Sequence, residues 1–245
     1  MPTPWAALLA LILASDLQHW TQSQLQQALI RGLRPEDRLV EVYAQPVHSA
    51  PPLSGLVYGR YQAGDYTYGQ LATVFTRGGQ QWVSGGMGLG GAAALRLEGV
   101  LDLAGSGKLD LSPGWEEPAK AVKRPTLVVW TSHTDNDGGW RGELVLLSLS
   151  DPEHPAQVGR LNAGWHVPYQ GSGGDPARPP QRIIGGAPMS LAVEQGKAGP
   201  ELIYVEQPQD SPDNGCLQPE PEAHRYVFTD GYLTEQLDTN GTGCR

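Results

Sequence analysis

After residue 54, hydrophobic and polar residues alternate mostly with the two-residue period of β-strands. Clusters of Gly, Pro, Asn and Asp, which favour turns, separate these short segments. The pattern predicts strands at residues 55–62, 67–76, 80–84, 94–103, 126–133, 141–149, 189–195, 201–206, 224–229 and 231–237. We therefore expect an all-β fold of many short antiparallel strands, arranged as a propeller-like or sandwich structure.

One segment has helical periodicity instead, SDLQHWTQSQLQQALIRGL at residues 15–33. Its apolar residues recur at helical spacing, namely Leu17, Trp20, Leu25, Ala28 and Leu29. Ser15 can cap the start, and Gly32 and Pro35 favour an end. We predict one N-terminal helix ahead of a single β-rich domain, which together span residues 15–245.

The strongest local element is TLVVWTSHTDNDGGWRGELVLLSLS, residues 126–150. Two strands flank an Asp-Asn-Asp-Gly-Gly turn, and both are apolar on both faces near their centres. This predicts a central hairpin covered on two sides.

Residues 45–54 and 166–188 are predicted to be connecting loops, and 112–125 is the best candidate for a linker.

The formal net charge of −9 results from 26 acidic and 17 basic residues. Nucleic-acid binding needs a basic footprint, which an acidic chain lacks. We therefore expect no nucleic-acid partner. Most of the excess negative charge lies in the tail, residues 201–245, which is either simply solvated or a docking face for a basic partner.

Residues Trp5 to Ala14 form an apolar run of signal-peptide length that is too short to span a bilayer. We expect residues 1–14 to be a signal peptide and the protein to be periplasmic or secreted, with no membrane span. The alternative is that the run begins a buried helix.

Both cysteines, Cys216 and Cys244, lie in Gly-rich turns of the last segment. A disulfide in an oxidising compartment accounts for this pair, and it would clip the tail, residues 201–245. The alternative is two unrelated free thiols.

Residues 102–111, DLAGSGKLDL, resemble the calcium-loop repeat of the FG-GAP and VCBS families of β-propeller proteins. The residues that match the repeat are Asp102, Gly105, Gly107, Lys108 and Asp110. Ala104 and Ser106 replace two loop acids, so this copy lacks ligands that calcium needs.

A second stretch, residues 133–147, has Asp135 and Asp137 at similar loop spacing. The resemblance implies calcium binding there; the alternative is a hairpin turn rich in Asp. Residues 146–161 also resemble the LVIVP-type repeat of secreted propellers, with Ser150-Asp151-Pro152, Pro155 and Val158-Gly159. Apart from calcium, no cofactor is predicted.

Trp165, His166 and Tyr169 border the Gly/Pro-rich segment 166–188 and are candidates for a ligand-stacking cluster. The alternative is an aromatic patch that packs the loop down.

The stretch QRIIGGAP, residues 181–188, is similar to the activation site of a trypsin-like zymogen. Too few residues follow Ile183 for two barrels, and no Ser-containing GDSGG-like segment follows His224. The Gly86-x-Gly88-x-x-Gly91 pattern lacks the helix that a dinucleotide site needs, and the histidines lack zinc-motif spacing. No catalytic residue is predicted.

The leading hypothesis for function is a non-enzymatic binding protein outside the cytoplasm, with a protein partner of inhibitor or immunity type. One alternative is a secreted, carbohydrate-active hydrolase whose site is assembled from distant residues. Another is a structural surface protein with a vestigial calcium loop.

Overall fold

The structure is a computed structural model that describes residues 37–90, 94–111, 115–134, 140–168, 182–184, 187–197, 199–207, 221–229 and 232–236. Within these ranges all regular structure is β-strand, in three antiparallel sheets, which confirms the all-β prediction. The predicted helix 15–33 and both cysteines lie outside the described residues. None of the described residues forms a helix of the length and apolar character that crossing a bilayer requires.

The first sheet is a meander whose strands pair in chain order, with the fifth strand beside the third. Its strands are β1 (Arg38–Pro46), β2 (Leu53–Ala63), β3 (Tyr66–Arg77), β4 (Gln80–Val83) and β5 (Met87–Gly88). The strand β1 was not predicted, because a register shift between Leu39 and Glu41 interrupts its alternation.

The middle and last sheets follow along the chain, except that β7, which comes between β6 and β8 in sequence, belongs to the last sheet. The middle sheet contains β6 (Ala94–Asp102), β8 (Pro125–Thr134), β9 (Trp140–Ser148), β10 (Ala156–Pro168) and β11 (Arg182–Ile184). The last sheet contains β7 (Gly107–Asp110), β12 (Ala187–Gly196), β13 (Gly199–Gln207), β14 (Glu222–Thr229) and β15 (Tyr232–Gln236). Their orders are β11-β10-β9-β8-β6 and β15-β14-β13-β12-β7.

The middle sheet is buried on both faces. Val128 and Val129 are consecutive in β8 and both have no exposed surface. Successive side chains of a strand point to opposite faces, so Val129 belongs to a core shared with the first sheet, which includes Leu56, and Val128 to a core shared with the last, which includes Leu191. The hairpin β8–β9 is therefore central and covered on two sides, as predicted.

The segment 166–188 is not a loop throughout, which corrects the prediction. The end of β10, His166 to Pro168, pairs with the short strand β11. The extended backbones at the two ends of the segment satisfy their polar groups by pairing with each other.

The candidate linker 112–125 packs against the fold in its described part. Trp115 and Val122 contact the core between the first and middle sheets. The Glu117 carboxylate accepts hydrogen bonds from the backbone N–H groups of His48 and Ser49, the latter at 2.6 Å. These contacts hold the segment in place.

Glu98 is a fully buried acid at a bulge of β6. Its Oε1 accepts a hydrogen bond from Arg96 Nε, whereas its Oε2 has no hydrogen-bond partner among the described residues. The Arg96 guanidinium stacks over the Trp130 ring, 5.0 Å from the centroid. Burial raises the pKa of Glu98 above its ordinary value, although Arg96 opposes the shift.

We expect Glu98→Gln to raise the melting temperature at about pH 8. A raised pKa means that the folded state holds the proton more tightly, so stability falls as pH rises from about 4.5 through the folded pKa. Gln removes this penalty, and its advantage should shrink towards pH 4. Thermal melts at both pH values test this, with the exposed Glu153→Gln as control. A lower melting temperature for Glu98→Gln at pH 8 would show that the attraction to Arg96 outweighs the burial cost.

Candidate metal centre

Three potential metal ligands, Glu206, Glu222 and His224, converge near the end of the last sheet. The antiparallel register of β13 and β14 sets Tyr204 opposite His224 and Glu206 opposite Glu222. Directly opposite residues share a face of the sheet, as do residues two apart on one strand. Tyr204 is buried in the core shared with the middle sheet, so all four side chains belong to this inner face.

The donor atoms of the three ligands all lie within 4.8 Å of one another. His224 Nε2 is 3.3 Å from Glu206 Oε1, and the side chains of these two residues are 29% and 19% exposed. The His224 ring also stacks on Tyr204, with centroids 6.0 Å apart and planes inclined by 25°. The stacking limits how the imidazole can turn.

Tyr204 serves as a fixed hydrogen-bond donor to this cluster. Its hydroxyl donates to Glu206 Oε2 at 3.3 Å. Burial, then the charge of Glu206 and this hydrogen bond, raise the pKa of Tyr204 far above its ordinary value. The phenol therefore stays protonated and leaves Glu206 Oε1 facing His224.

One imidazole and two carboxylates form a donor set suited to a divalent transition-metal ion such as Zn²⁺. Ligands 2.0–2.1 Å from a tetrahedral zinc ion are about 3.4 Å apart, close to the observed Glu206–His224 separation. Calcium prefers six to eight oxygen ligands, so the imidazole disfavours it here. Three protein ligands would leave one position for water or a partner's ligand.

The inner face of β14 carries two of the three ligands, and its outer face carries a separate ion pair. Arg225 directly follows His224 in β14, so its side chain points to the opposite face, away from the cluster. Its Nη1 contacts Glu201 at 2.8 Å and Glu194 at 3.5 Å. The strand alternation thus keeps this guanidinium on the opposite face from the three ligands.

Of the candidate residues chosen from the sequence, Trp165 and His166 are described and neither is a ligand of this cluster. Trp165 and His166 lie in β10, where their backbones pair with Arg141 and Trp140 of β9. Tyr169, Asp135 and Asp137 lie outside the described residues, as do Cys216 and Cys244.

Asp102, the leading acid of the calcium-loop resemblance, has a structural role in the turn after β6. Its carboxylate accepts backbone hydrogen bonds from Ala104 at 2.9 Å, Lys123 at 3.1 Å and Arg124 at 2.9 Å. Burial alone would raise the pKa of Asp102, but these donors lower it below its ordinary value. The other matching acid, Asp110, pairs with Lys108 at 2.8 Å.

Comparison with known proteins adds no relative: no family model matches the chain, and no curated protein or solved structure is detectably similar to it.

We expect Tyr204→Phe to lower the free energy of unfolding by about 1 kcal/mol, because it removes one hydrogen bond and keeps the ring. Urea denaturation measures the change. Tyr66→Phe is the matched control, because Tyr66 is 79% exposed. Equal stability of the two variants would show that the Tyr204 hydroxyl contributes nothing to holding Glu206.

Proposed function

We propose that this chain is a non-enzymatic, β-rich binding protein that acts in the periplasm or as a secreted protein and holds a divalent transition-metal ion. The observation that supports metal binding is the convergence of Glu206, Glu222 and His224 within 4.8 Å on one face of the last sheet. Two of these ligands are on neighbouring positions of one strand face, and the third is on the paired strand. Strands hold ligands more rigidly than loops do.

A groove in the described part of the chain lies apart from the metal-ligand cluster. A cavity of about 610 Å³ is lined by residues 100–102, 106–109 and 116–122. These residues come from the end of β6, from β7 and from the segment 116–122, whereas the metal ligands lie on β13 and β14, and β12 lies between β7 and β13. The groove and the cluster therefore do not form one substrate site.

A secreted hydrolase is the second candidate, and the same cluster is what favours it. A His beside one carboxylate, with a second carboxylate close by, can support general acid–base catalysis. In that case the three residues would act on a bound substrate as well as on a metal ion.

A protein partner of inhibitor or immunity type is the third element of the proposal. The strand β1, at one edge of the first sheet, has two large exposed side chains, Val40 at 43% and Tyr43 at 44%. An outer strand with exposed apolar side chains can pair with an extended segment of another protein. This supports recognition along β1.

We expect Zn²⁺ to bind the protein with one-to-one stoichiometry in isothermal titration calorimetry and to raise its melting temperature. At a zinc concentration of about 100 times Kd, the stabilisation would be about 2.7 kcal/mol. His224→Ala and Glu206→Gln should each remove the binding. His154→Ala is the matched control, since His154 also contacts a carboxylate, Asp151 Oδ2 at 3.1 Å, but on the exposed surface.

Zinc binding that is unchanged in His224→Ala would refute the proposed site. Calcium is the second titrant. Stabilisation by calcium alone would instead favour calcium binding at Asp135 and Asp137, as the resemblance to propeller repeats implies. Hydrolysis of model glycosides by the parent protein, lost in Glu222→Gln, would establish the hydrolase.

The export part of the proposal rests on the apolar run Trp5–Ala14 and on the two cysteines. We expect the protein recovered from its native compartment to be inert to maleimide until it is reduced, because Cys216 and Cys244 would form a disulfide. Mass spectrometry of the labelled protein counts the thiols. Labelling of both cysteines before reduction would contradict the disulfide and weaken the case for export.

A further inference from the structure

The outer face of the first sheet, turned away from the middle sheet, is buried. Val57, Tyr61, Ala72 and Val74 on this face have no exposed surface. The described hydrophobic residues that cluster with them all belong to the first sheet itself: Ala44, Leu39, Val42, Tyr68 and Val83. A sheet does not shield its own face completely from water, so this burial requires a covering layer from elsewhere in the chain.

Two buried polar atoms on the same face also need partners. Tyr61 Oη and Gln70 Oε1 have no hydrogen-bond partner among the described residues, and Tyr61 is fully buried. An unsatisfied buried polar group costs about 1–3 kcal/mol. The layer that covers this face must therefore offer polar groups beside an apolar stripe.

We propose that the N-terminal helix predicted at residues 15–33 packs on this outer face. The described chain begins at Asp37, immediately before β1, and the Tyr68 hydroxyl donates a hydrogen bond to Asp37 Oδ2 at 2.6 Å. Tyr68 belongs to the outer face, where it stacks on Tyr61. This contact ties the entering chain to the face that needs a cover.

The composition and length of the N-terminal segment suit this position. The predicted helix would be about 28 Å long, at 1.5 Å per residue. The central strands β2 and β3, of 11 and 12 residues, are each longer than this at about 3.3 Å per residue. The helix combines an apolar stripe with neighbouring Gln side chains such as Gln24, whose amides can pair with Tyr61 and Gln70.

Photo-cross-linking of the full chain tests the contact directly. Benzoylphenylalanine replaces Leu25 on the apolar stripe or, as the matched control, Ser23, which a helix would place about 160° away. We expect cross-links from position 25 to β2 and β3 at residues 57–61 and 70–74, and none from position 23. Cross-links to the middle or last sheet, or between differently isotope-labelled molecules, would overturn the proposal.

Hydroxyl-radical footprinting gives an independent measurement on the same face. Leu25→Asp should increase oxidation of Tyr61 several-fold, and Ser23→Asp should leave it unchanged. Tyr204, buried between the middle and last sheets, reports whether the rest of the fold is intact. Equal protection of Tyr61 in both variants would refute the proposal. If Leu25→Asp exposes Tyr204 as well, this variant has lost its fold and does not test the contact. The cross-linking result, obtained with a variant that carries no buried charge, then decides whether the proposal holds.

Discussion

The fold depends on a middle sheet from which water is excluded on both faces. Val128 and Val129 point in opposite directions from one strand, and neither has exposed surface. Burying a side chain of this size stabilises the fold by about 1.5–3 kcal/mol, and β9 repeats the arrangement at Leu144 and Val145. Uncovering either face would forfeit a whole row of such contributions. The first and last sheets are therefore both required, although their cores are separate clusters on either side of the middle sheet.

Much of this fold is predictable from the sequence. The middle hairpin contains uninterrupted apolar runs, Leu127-Val128-Val129 and Leu144-Val145-Leu146, which indicate strands that are buried on both faces. The strands that escaped prediction have physical reasons. Two register shifts break the alternation of β10, at Gln157/Gly159 and Asn162/Trp165. β7 has four residues, and its pairing is set by a distant strand, which no local pattern reveals.

The candidate metal centre was less accessible to sequence reasoning. Glu222 and His224 are two residues apart and share a face of β14, but the predicted strand, 224–229, includes only His224. Glu206 joins them through the register across β13 and β14, and the connection between these strands, residues 208–221, gives no cue to that register. Zinc motifs sought as fixed local spacings miss ligands that pair across a sheet. The fold class was predictable from the sequence, whereas the site was not, because it needs the true start of β14 at Glu222 and the register of β14 with β13.

The pairing of β7 with the distant strand β12 affects the order in which the sheets can form. The first sheet pairs neighbours in sequence, so its hairpins can close as soon as they are made. In the last sheet, Asp110 pairs with Ser190 and Gly107 with Val193. During synthesis β7 therefore has no partner until β12, about 80 residues later, has been made. Contacts between such distant residues form slowly because long loops must close first. A chain released or cut between β7 and β12 would leave β7 without its partner and with an unpaired strand edge.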